Sequence, residues 1–498
     1  MRCGRPRNSN GERSWPNDMS AVPELLQAGA ATSRPGPVSK AAMLRTLAMA
    51  IPIGFWFAPL GLDLKIQHVI AVTLFMIVAW ISHSMDHALA GLAGCFLFWA
   101  LKLAPFGTAF GGFAEPTPWF LFGAMLFGIM ASKTGLARRL AYLVMLRIGS
   151  TYSRLLLGLI VSNFLLTFVA PSGIARVILM ATIALGLIEA FGLDLRSNVA
   201  RGMFITLTYT TGIFDKVVIA GAAAITARGL IETVGHVEVL WSRWLLAFLP
   251  FSVLTILISW RYTLRFFPPE KPALPGGSAL LRQELRNMGP WSPAEKKAAL
   301  LIGLAVVLWM TDFWHHISPA MIGLGVGLLA AFPGIGVLET EDVKKLNYLP
   351  IFFTAAAICM GNVLMATKTL DFLTGEIVVW LHPLVVNSFT ASLVLYWSGC
   401  VYHVFLGDEV GMLSTSIPIL MKFAHTHGMN PLFAGMVWTL SAGGRIFVYQ
   451  SAVLVVGYSY GSFTARDMFR MGVFLTIVES ILLLVFAPLY WPLIGIHY

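Results

Sequence analysis

Long apolar blocks separated by short polar segments occupy the chain from about residue 43 to its end. Most blocks are about 16 to 26 residues long, and a helix of about 20 residues crosses a hydrocarbon layer roughly 30 Å thick. Backbone amide groups inside a bilayer must be hydrogen-bonded within the protein, which favours helices. The pattern therefore predicts an all-α polytopic membrane protein with about 11 transmembrane helices.

Four of the apolar blocks are interrupted by residues that do not suit a continuous membrane-spanning helix. Pro171–Ile174 and Gly407–Val410 each separate two apolar arms, which predicts two re-entrant helical hairpins. Gly221–Ala224 and Tyr449–Ser451 interrupt the blocks that follow, which predicts two broken helices. Non-helical backbone at membrane depth persists only where it is buried in protein or lines a cavity. The four breaks therefore indicate where a binding site would lie.

The second half of the chain repeats the first. Six residues recur with the same residue type 233 positions later, namely Gly202, Met203, Thr206, Leu207, Ile213 and Phe214 at Gly435, Met436, Thr439, Leu440, Ile446 and Phe447. A basic cluster between 133 and 154 corresponds in the second copy to a segment with Lys368, Asp371 and Glu376. Because basic residues mark the cytoplasmic side, corresponding segments should lie on opposite membrane faces. The two repeats are therefore predicted to be inverted.

These features divide the chain into five predicted parts. Residues 1–40 are rich in Pro, Gly, Ser, Asn and Arg, which predicts a disordered cytoplasmic tail. Residues 41–65 form an extra first span, residues 66–262 the first inverted repeat, and residues 298–495 the second. Residues 263–297 contain Pro-Pro, Pro-Gly-Gly and mixed charges, which predicts a cytoplasmic linker.

The composition excludes an ordinary soluble protein, because 57% of the 498 residues are hydrophobic whereas 34 are basic and 24 acidic. The net charge of +10 is spread over loops between apolar blocks, which favours a lipid bilayer as partner and argues against nucleic acid. When each predicted span is counted as one crossing, most basic residues fall in segments on the same side of the membrane. This bias predicts an integral inner (plasma) membrane protein with a cytoplasmic N-terminus and a periplasmic or extracellular C-terminus.

Charged residues also occur in or beside the interrupted segments, where an ionisable side chain is costly unless it is paired or hydrated. They are Arg176, Asp215, Lys216, Asp408, Glu409 and Arg445. In one interpretation, the three cations and three carboxylates neutralise one another as structural ion pairs. In the other, the cations bind a substrate carboxylate, and a carboxylate of the second hairpin tip carries a coupling cation or proton. The sequence leaves both interpretations open.

Three stretches resemble the divalent anion:sodium symporter family, namely Phe120–Met125 continued by Lys133–Leu136, Ala170–Arg176, and Gly457–Gly472. The resemblance covers roughly residues 45–495. It implies a dicarboxylate, citrate or sulfate carrier that works by an elevator motion and forms a homodimer. In that family, a Ser-Asn-Thr sequence at each hairpin tip binds sodium and the substrate carboxylate.

The chain departs from the Ser-Asn-Thr pattern at both tips. The first tip reads Ser172-Gly173-Ile174 and the second Asp408-Glu409-Val410, while Gly221 matches the family's sodium-loop glycine. The resemblance, together with the buried cations, predicts a substrate site of Ser172, Gly173, Ile174, Arg176, Lys216, Glu409, Val410, Arg445 and Ser451. It predicts a coupling-ion site of Ser172, Gly221, Asp408 and Glu409. One or more of the cations would replace the missing Asn and Thr in anion recognition.

The leading prediction is a secondary active transporter of small organic anions, di- or tricarboxylates, coupled to sodium or protons or working as an exchanger. No cofactor is expected, apart from sodium as a coupling ion. One alternative is an intramembrane metalloenzyme that uses His83 and His87, because His83-Ser-Met-Asp-His87 resembles an inverted zincin motif. The other alternative is an uncoupled channel or sensor.

Overall fold

The computed structural model describes residues 40–82, 84–170, 172–273, 278–406 and 408–498, with side chains from Met49 onward except those of 376–382. Contacts divide the chain into two units, residues 1–50 and 51–498. Only part of one helix is described in the first unit, and the predicted tail lies outside the described residues except for its last position. The description below concerns the second unit.

The described chain is helical, and the one β-type pairing within it is an isolated bridge between Thr151 and Ala273. The helices before the linker are α1 (Lys40–Phe57), α2 (Leu64–Ser82), α3 (His87–Ala100), α4 (Phe106–Ala109), α5 (Pro116–Lys133), α6 (Leu136–Ile148), α7 (Tyr152–Val169), α8 (Gly173–Phe191), α9 (Asn198–Val217), α10 (Ala222–Gly235) and α11 (Trp241–Phe266). A short helix in the predicted linker, α12 (Ala279–Asn287), buries only Leu281.

The helices after the linker follow a similar order. They are α13 (Pro293–Met310), α14 (Asp312–His315), α15 (Pro319–Leu329), α16 (Thr340–Lys344), α17 (Leu349–Ala366), α18 (Thr369–Leu381), α19 (Ser388–Phe405), α20 (Glu409–Thr426), α21 (Pro431–Ser441), α22 (Ala452–Ser459) and α23 (Ala465–Leu489). Short 3₁₀ turns occur at Gly111–Ala114, His382–Leu384, Val448–Gln450 and Trp491–Ile494.

Seven helical stretches in the described residues are long and apolar enough to cross a membrane, with α9 and α10 counted as one. An eighth results if α5 and α6 are joined, although these two helices are bent by 68° relative to each other. Helices α3, α15 and α21 are apolar but shorter. The all-α polytopic membrane fold is confirmed, whereas the count of about 11 spans stays a prediction.

Each half contains a helical hairpin followed by a broken helix, as the sequence predicts. The hairpins are α7–α8 and α19–α20, and the broken helices are α9–α10 and α21–α22. The bent pair α5–α6 corresponds to α17–α18, and α11 corresponds to α23. The exact boundaries of the repeats and of the linker stay predictions.

Helices of the two halves pack against each other. Helix α5 lies on α15, and α3 lies on α17. Small residues allow this close approach, since a Cβ at Gly123 would overlap the carbonyl oxygen of Gly323. Each hairpin also meets the broken helix of the other half, because α8 contacts α22 and α20 contacts α10. These contacts between the two halves bring the hairpin tips and the helix breaks together.

The predicted cytoplasmic linker and several other loops make polar contacts on one face of the protein. Four polar contacts connect them: Arg138 with Glu284 at 3.0 Å, Lys133 with Asp342 at 2.6 Å, the Asn198 backbone N–H with Glu270 at 2.5 Å, and the Ser462 hydroxyl with the Leu195 carbonyl at 2.9 Å. The loops therefore share one face of the protein. Which side of the membrane this face meets stays a prediction.

A buried ion pair far from the helix breaks fixes α6 to the start of α13. Arg139 contacts both carboxylate oxygens of Glu295, at 2.7 and 3.1 Å, and the two side chains are only 4% and 3% exposed. Glu295→Gln should lower the thermal midpoint by on the order of 5 °C, because it leaves a buried guanidinium without its anion. Differential scanning fluorimetry in detergent measures this shift. An unchanged midpoint would show that the pair does not stabilise the fold.

Candidate functional site

The last two turns of α9 organise the candidate site. Nearly all of this helix is buried. Because residues four positions apart lie on the same side of a helix, Thr211 and Asp215 form one row, and Gly212 and Lys216 form an adjacent row. The helix then breaks before α10 begins. Its end thus presents a carboxylate and an ammonium group inside the protein.

Arg176 of α8 reaches the first of these rows. Helix α8 begins at the first hairpin tip, where the Ser172 hydroxyl accepts a hydrogen bond from the Ala175 N–H at 3.4 Å. The Arg176 side chain is fully buried, its Nη2 donates to the Thr211 carbonyl at 3.2 Å, and it forms an ion pair with Asp215. Its Nε and Nη1 have no hydrogen-bond partner among the described residues.

Glu409 of the second hairpin tip reaches the other row. Asp408 caps α20, since its Oδ2 accepts a hydrogen bond from the Gly411 N–H at 2.6 Å. Glu409 is the first residue of α20, and its Oε2 lies 3.2 Å from Lys216 Nζ while its Oε1 lies 2.5 Å from Arg445 Nη2. The Glu409 side chain is 12% exposed, and those of Lys216 and Arg445 are 1% and 2% exposed. One carboxylate therefore bridges two buried cations.

Arg445 comes from the unwound segment between α21 and α22. This segment is held by the Gln450 side chain, whose Oε1 accepts hydrogen bonds from the backbone N–H groups of Ile446 and Phe447 at 2.7 and 2.8 Å. The Arg445 guanidinium lies directly against Gly212, where a Cβ would overlap its Nη1. Within the described chain, Arg445 Nε and Nη1 also lack a hydrogen-bond partner.

Arg176 and Arg445 thus approach the same turn of α9 from different halves of the chain, because Thr211 and Gly212 are consecutive residues. We call the ion-paired residues the charge cluster: Arg176, Asp215, Lys216, Glu409 and Arg445. The charge cluster contains three cations and two carboxylates. Buried donors without partners cost free energy, so an anion that reached them would be stabilised.

The predicted neutralisation of the buried charges is only partly realised. Asp215 and Glu409 form the expected ion pairs, whereas Asp408 uses one carboxylate oxygen to cap α20. The structure therefore contains both the ion pairs of the first interpretation and the unpartnered donors that the second requires. The functional roles of these residues stay predictions.

Other predicted site residues surround the charge cluster. A Cβ at Gly173 would overlap Asp215 Oδ2, and a Cβ at Gly221 would lie 2.9 Å from Asp215 Cβ, so both glycines leave room for this carboxylate. Ser451 is buried and caps α22, with its hydroxyl accepting from the Val453 N–H at 3.3 Å.

The remaining two predicted residues have apolar side chains. The Ile174 side chain is exposed, and that of Val410 is half-buried. Only their backbone N–H groups could donate a hydrogen bond to a substrate carboxylate. Pro171 and Gly407 of the predicted tips lie outside the described residues.

Two buried polar residues were not among the predicted site residues. Asn163 of α7 donates from Nδ2 to the Thr211 hydroxyl at 2.7 Å, while its buried Oδ1 lacks a described partner. Glu479 of α23 is 1% exposed, accepts a hydrogen bond from the Tyr396 hydroxyl at 3.1 Å, and lies against Gly443. Each lies next to a serine in an otherwise apolar stretch of helix, and that signal would have identified both.

The structure describes the histidine motif only from Ser84 onward. Asp86, between the two histidines, caps α3 by accepting a hydrogen bond from the Ala88 N–H at 2.9 Å. The described part of the chain contains no group of three His, Cys, Asp or Glu residues that could hold a metal ion. His83 itself lies outside the described residues. The metalloenzyme alternative gains no support from this geometry.

Comparison with known families gives a match over residues 39–497 to the family described as "Sodium:sulfate symporter transmembrane region". The chain belongs to this family. The resemblance to divalent anion:sodium symporters is therefore confirmed, and the protein is an integral membrane transport protein.

Curated relatives of this symporter-family chain include named transporters. The putative malate transporter YflS of Bacillus subtilis is 24% identical, and the match covers 91% of this chain and 96% of that one. The citrate/succinate antiporter of Escherichia coli is also 24% identical, with 76% and 79% covered. The crystal structure of the Alcanivorax borkumensis YdaH transporter shares the fold, with a TM-score of 0.53 at 15% identity, over 86% of this chain and 100% of that one.

Proposed function

We propose that the protein is a secondary carrier of small organic anions, in particular di- and tricarboxylates. The observation that carries this proposal is the pair of buried guanidinium groups, Arg176 and Arg445, which lie beside the same turn of α9 and have donors without a partner among the residues that the structure describes. A guanidinium group binds a carboxylate through two parallel hydrogen bonds. Two relatives, named as a putative malate transporter and a citrate/succinate antiporter, support the same substrate class.

Two guanidinium groups beside the same turn of α9 favour an anion with two charged ends. One carboxylate would take the unpartnered donors of Arg176, and the other would take those of Arg445. The site lies between the two hairpin tips and the two helix breaks, where bound substrate is accessible to neither face once both hairpins close over it. A compact dicarboxylate therefore matches the charge and the position of these donors.

We further propose that transport is exchange and not sodium symport. Two residues of the predicted coupling-ion site are engaged as helix caps, Ser172 on α8 and Asp408 on α20. The second acidic residue of this site, Glu409, already contacts two cations, Lys216 and Arg445, which would repel a sodium ion there. Fixed cations thus supply the positive charge that a coupling ion would bring. One of the two named relatives is an antiporter.

The architecture supports an elevator-type movement in a homodimer. The hairpins and broken helices would form the moving part, and α3, α5, α15 and α17, which pack through small residues, would form the fixed part and the dimer contact. With the N-terminus in the cytoplasm and the C-terminus outside, the loop face described above would be cytoplasmic.

Counterflow in proteoliposomes tests the proposal. Labelled succinate uptake should rise severalfold when the vesicles contain unlabelled succinate, because the loaded carrier returns and the empty one does not. A sodium gradient alone should drive no accumulation. Uptake that requires a sodium or proton gradient would contradict exchange, and uptake without trans-stimulation would indicate a channel. No uptake of succinate, citrate or malate under any of these conditions would contradict the substrate class.

A further inference from the structure

Glu409 holds its carboxylate where the proposed substrate would place one of its own. The carboxylate lies on the second hairpin tip, and its two oxygens face two different cations, 3.2 Å from Lys216 Nζ and 2.5 Å from Arg445 Nη2. A substrate carboxylate on the same cations would have the same charge and the same planar arrangement of oxygens. Glu409 and a substrate carboxylate therefore cannot both occupy this position.

We propose that Glu409 is an internal substitute for a substrate carboxylate, which occupies Lys216 and Arg445 in the empty carrier and is displaced when the substrate binds. This inference rests on the proposed function, since it assigns the competitor at the same anion site. In this role, Glu409 competes with the substrate for the two cations and does not bind the substrate.

The burial of the cations gives the reason for an internal anion. Lys216 and Arg445 are almost fully buried, and a buried charge without a partner is destabilising. Lys216 also donates to the Ala442 carbonyl at 2.7 Å, but this neutral acceptor does not compensate its charge. An anion is therefore required at this position both before and after the substrate arrives.

The contact with Arg445 is suited to displacement. Among the described residues, Glu409 Oε1 lies close to Arg445 but accepts no hydrogen bond with acceptable geometry, and Arg445 Nε and Nη1 also have no partner there. The internal carboxylate thus satisfies the charge of Arg445 without satisfying most of its donors. A substrate carboxylate that approached the guanidinium edge would make hydrogen bonds that Glu409 does not make.

The local fold allows Glu409 to leave without unravelling α20. The helix start is capped by Asp408, whose carboxylate accepts a hydrogen bond from Gly411, so the Glu409 side chain is not needed there. Glu409 is also the more exposed member of its ion pairs, at 12%. Its side chain can therefore move away from the cations while the backbone of the tip stays ordered.

Competition with Glu409 predicts which anions bind. A monocarboxylate offers the Lys216 and Arg445 position no more charge than Glu409 already provides, and Glu409 has the advantage of being tethered. A dicarboxylate gains a second contact at Arg176, whose Nε and Nη1 have no hydrogen-bond partner in the described part of the chain. The inference therefore predicts that dicarboxylates bind and that monocarboxylates bind far more weakly. It also gives a reason for exchange, because the Glu409 carboxylate occupies the anion position of the empty carrier.

Glu409→Gln tests the inference through the sign of its effect. Removing the internal competitor should lower the Kd for succinate by about tenfold, because the wild-type site is open for only a fraction of the time. The Kd for propionate should fall by a similar factor, since both anions must displace the Glu409 carboxylate in the wild type. Isothermal titration of the purified full-length protein in detergent, in a buffer free of carboxylates, measures both constants.

Thermal stability provides a second measurement on the same samples. Without added anion, Glu409→Gln should melt below the wild type because two buried cations have lost their partner. Succinate should restore most of this difference. The matched control is Glu295→Gln, which removes a buried carboxylate from Arg139 far from the site. The control should also melt lower, but succinate should not restore it, and its Kd should equal that of the wild type.

If the Glu409→Gln variant does not fold, Glu409→Asp replaces it in the binding measurement. The shorter side chain keeps the negative charge but no longer reaches both cations, so the Kd for succinate should fall by a smaller factor. A raised Kd in these variants would make Glu409 a direct contributor to substrate binding, and an unchanged Kd would remove it from the site. Either result overturns the inference while wild-type succinate binding leaves the proposed function standing. Failure of both wild type and variants to bind succinate, citrate or malate would overturn both.

Discussion

Arg445→Gln should abolish anion exchange while the protein still inserts into the membrane. The substitution removes the guanidinium whose Nε and Nη1 face the proposed substrate, and it leaves Glu409 with Lys216 as its one remaining ion-pair partner in the charge cluster. Losing one member of a buried charge pair costs about 2–5 kcal/mol, so we expect succinate binding to weaken by at least about 30-fold. Titration of the purified variant and counterflow in proteoliposomes measure binding and transport separately.

Two companion variants give this prediction its controls. Arg445→Lys keeps the charge but not the planar pair of donors, so its Kd should lie between those of the wild type and the glutamine variant. Arg138→Gln removes an arginine that pairs with Glu284 at the protein surface, and it should leave binding unchanged. Normal uptake by Arg445→Gln would exclude Arg445 from anion recognition. Loss of Arg445→Gln protein from the membrane would instead favour a purely structural ion pair.

Gly212→Ala should have a comparably large effect, although it changes no charge. A Cβ at this position would overlap Arg445 Nη1 and would lie 3.0 Å from its Nη2, so the guanidinium must leave its place against α9. Because the interior is closely packed, we expect exchange to fall to nearly the level of Arg445→Gln. Counterflow rates and the Kd for succinate provide the measurement. Gly303→Ala is the matched control, since a Cβ there would contact nothing within 4 Å.

The double variant separates the two explanations for a loss of function. If Gly212 matters because it leaves room for Arg445, alanine should cost little more in a protein that already carries Arg445→Gln. Additive losses of stability and binding would show instead that alanine disturbs α9 itself. Such a result would contradict the steric explanation while leaving the role of Arg445 untouched.

The two residues of this contact occupy equivalent positions in the two repeats. Gly212 and Arg445 are 233 positions apart, the same offset that relates the six repeated residues around them. The repeat therefore indicated that the two breaks correspond, but it could not show that one arginine packs against its own counterpart. That contact follows from how the two halves face each other, which the spacing of residues along the chain does not specify.

Asn163 and Glu479 are two buried polar residues that the polarity pattern of the sequence could have indicated. Both lie within apolar helices and are buried, and a polar residue at membrane depth is a reason to expect a specific partner. Their partners, Thr211 and Tyr396, are 48 and 83 residues away in the sequence. Only the packed structure identifies such pairs, because sequence spacing limits contacts within one helix but not between helices.

The sequence by itself determined the class of protein and the positions of its helix breaks and buried charges. Blocks of apolar residues long enough to cross a bilayer require helices, and Pro, Gly and charged residues within such blocks mark the helix breaks that line a cavity. Those signals are local, so hairpins, broken helices and buried charges could be read directly from the chain.

Tertiary structure alone determined which charges meet. The sequence allowed Asp408 or Glu409 to serve as a coupling-ion ligand, and it allowed Arg176, Lys216 and Arg445 to pair with any of the acidic residues. In the folded chain, Asp408 caps a helix while Glu409 bridges two of the cations. The reason is that ion pairing depends on distances of a few ångströms between residues from different helices, and only the packing of those helices sets such distances.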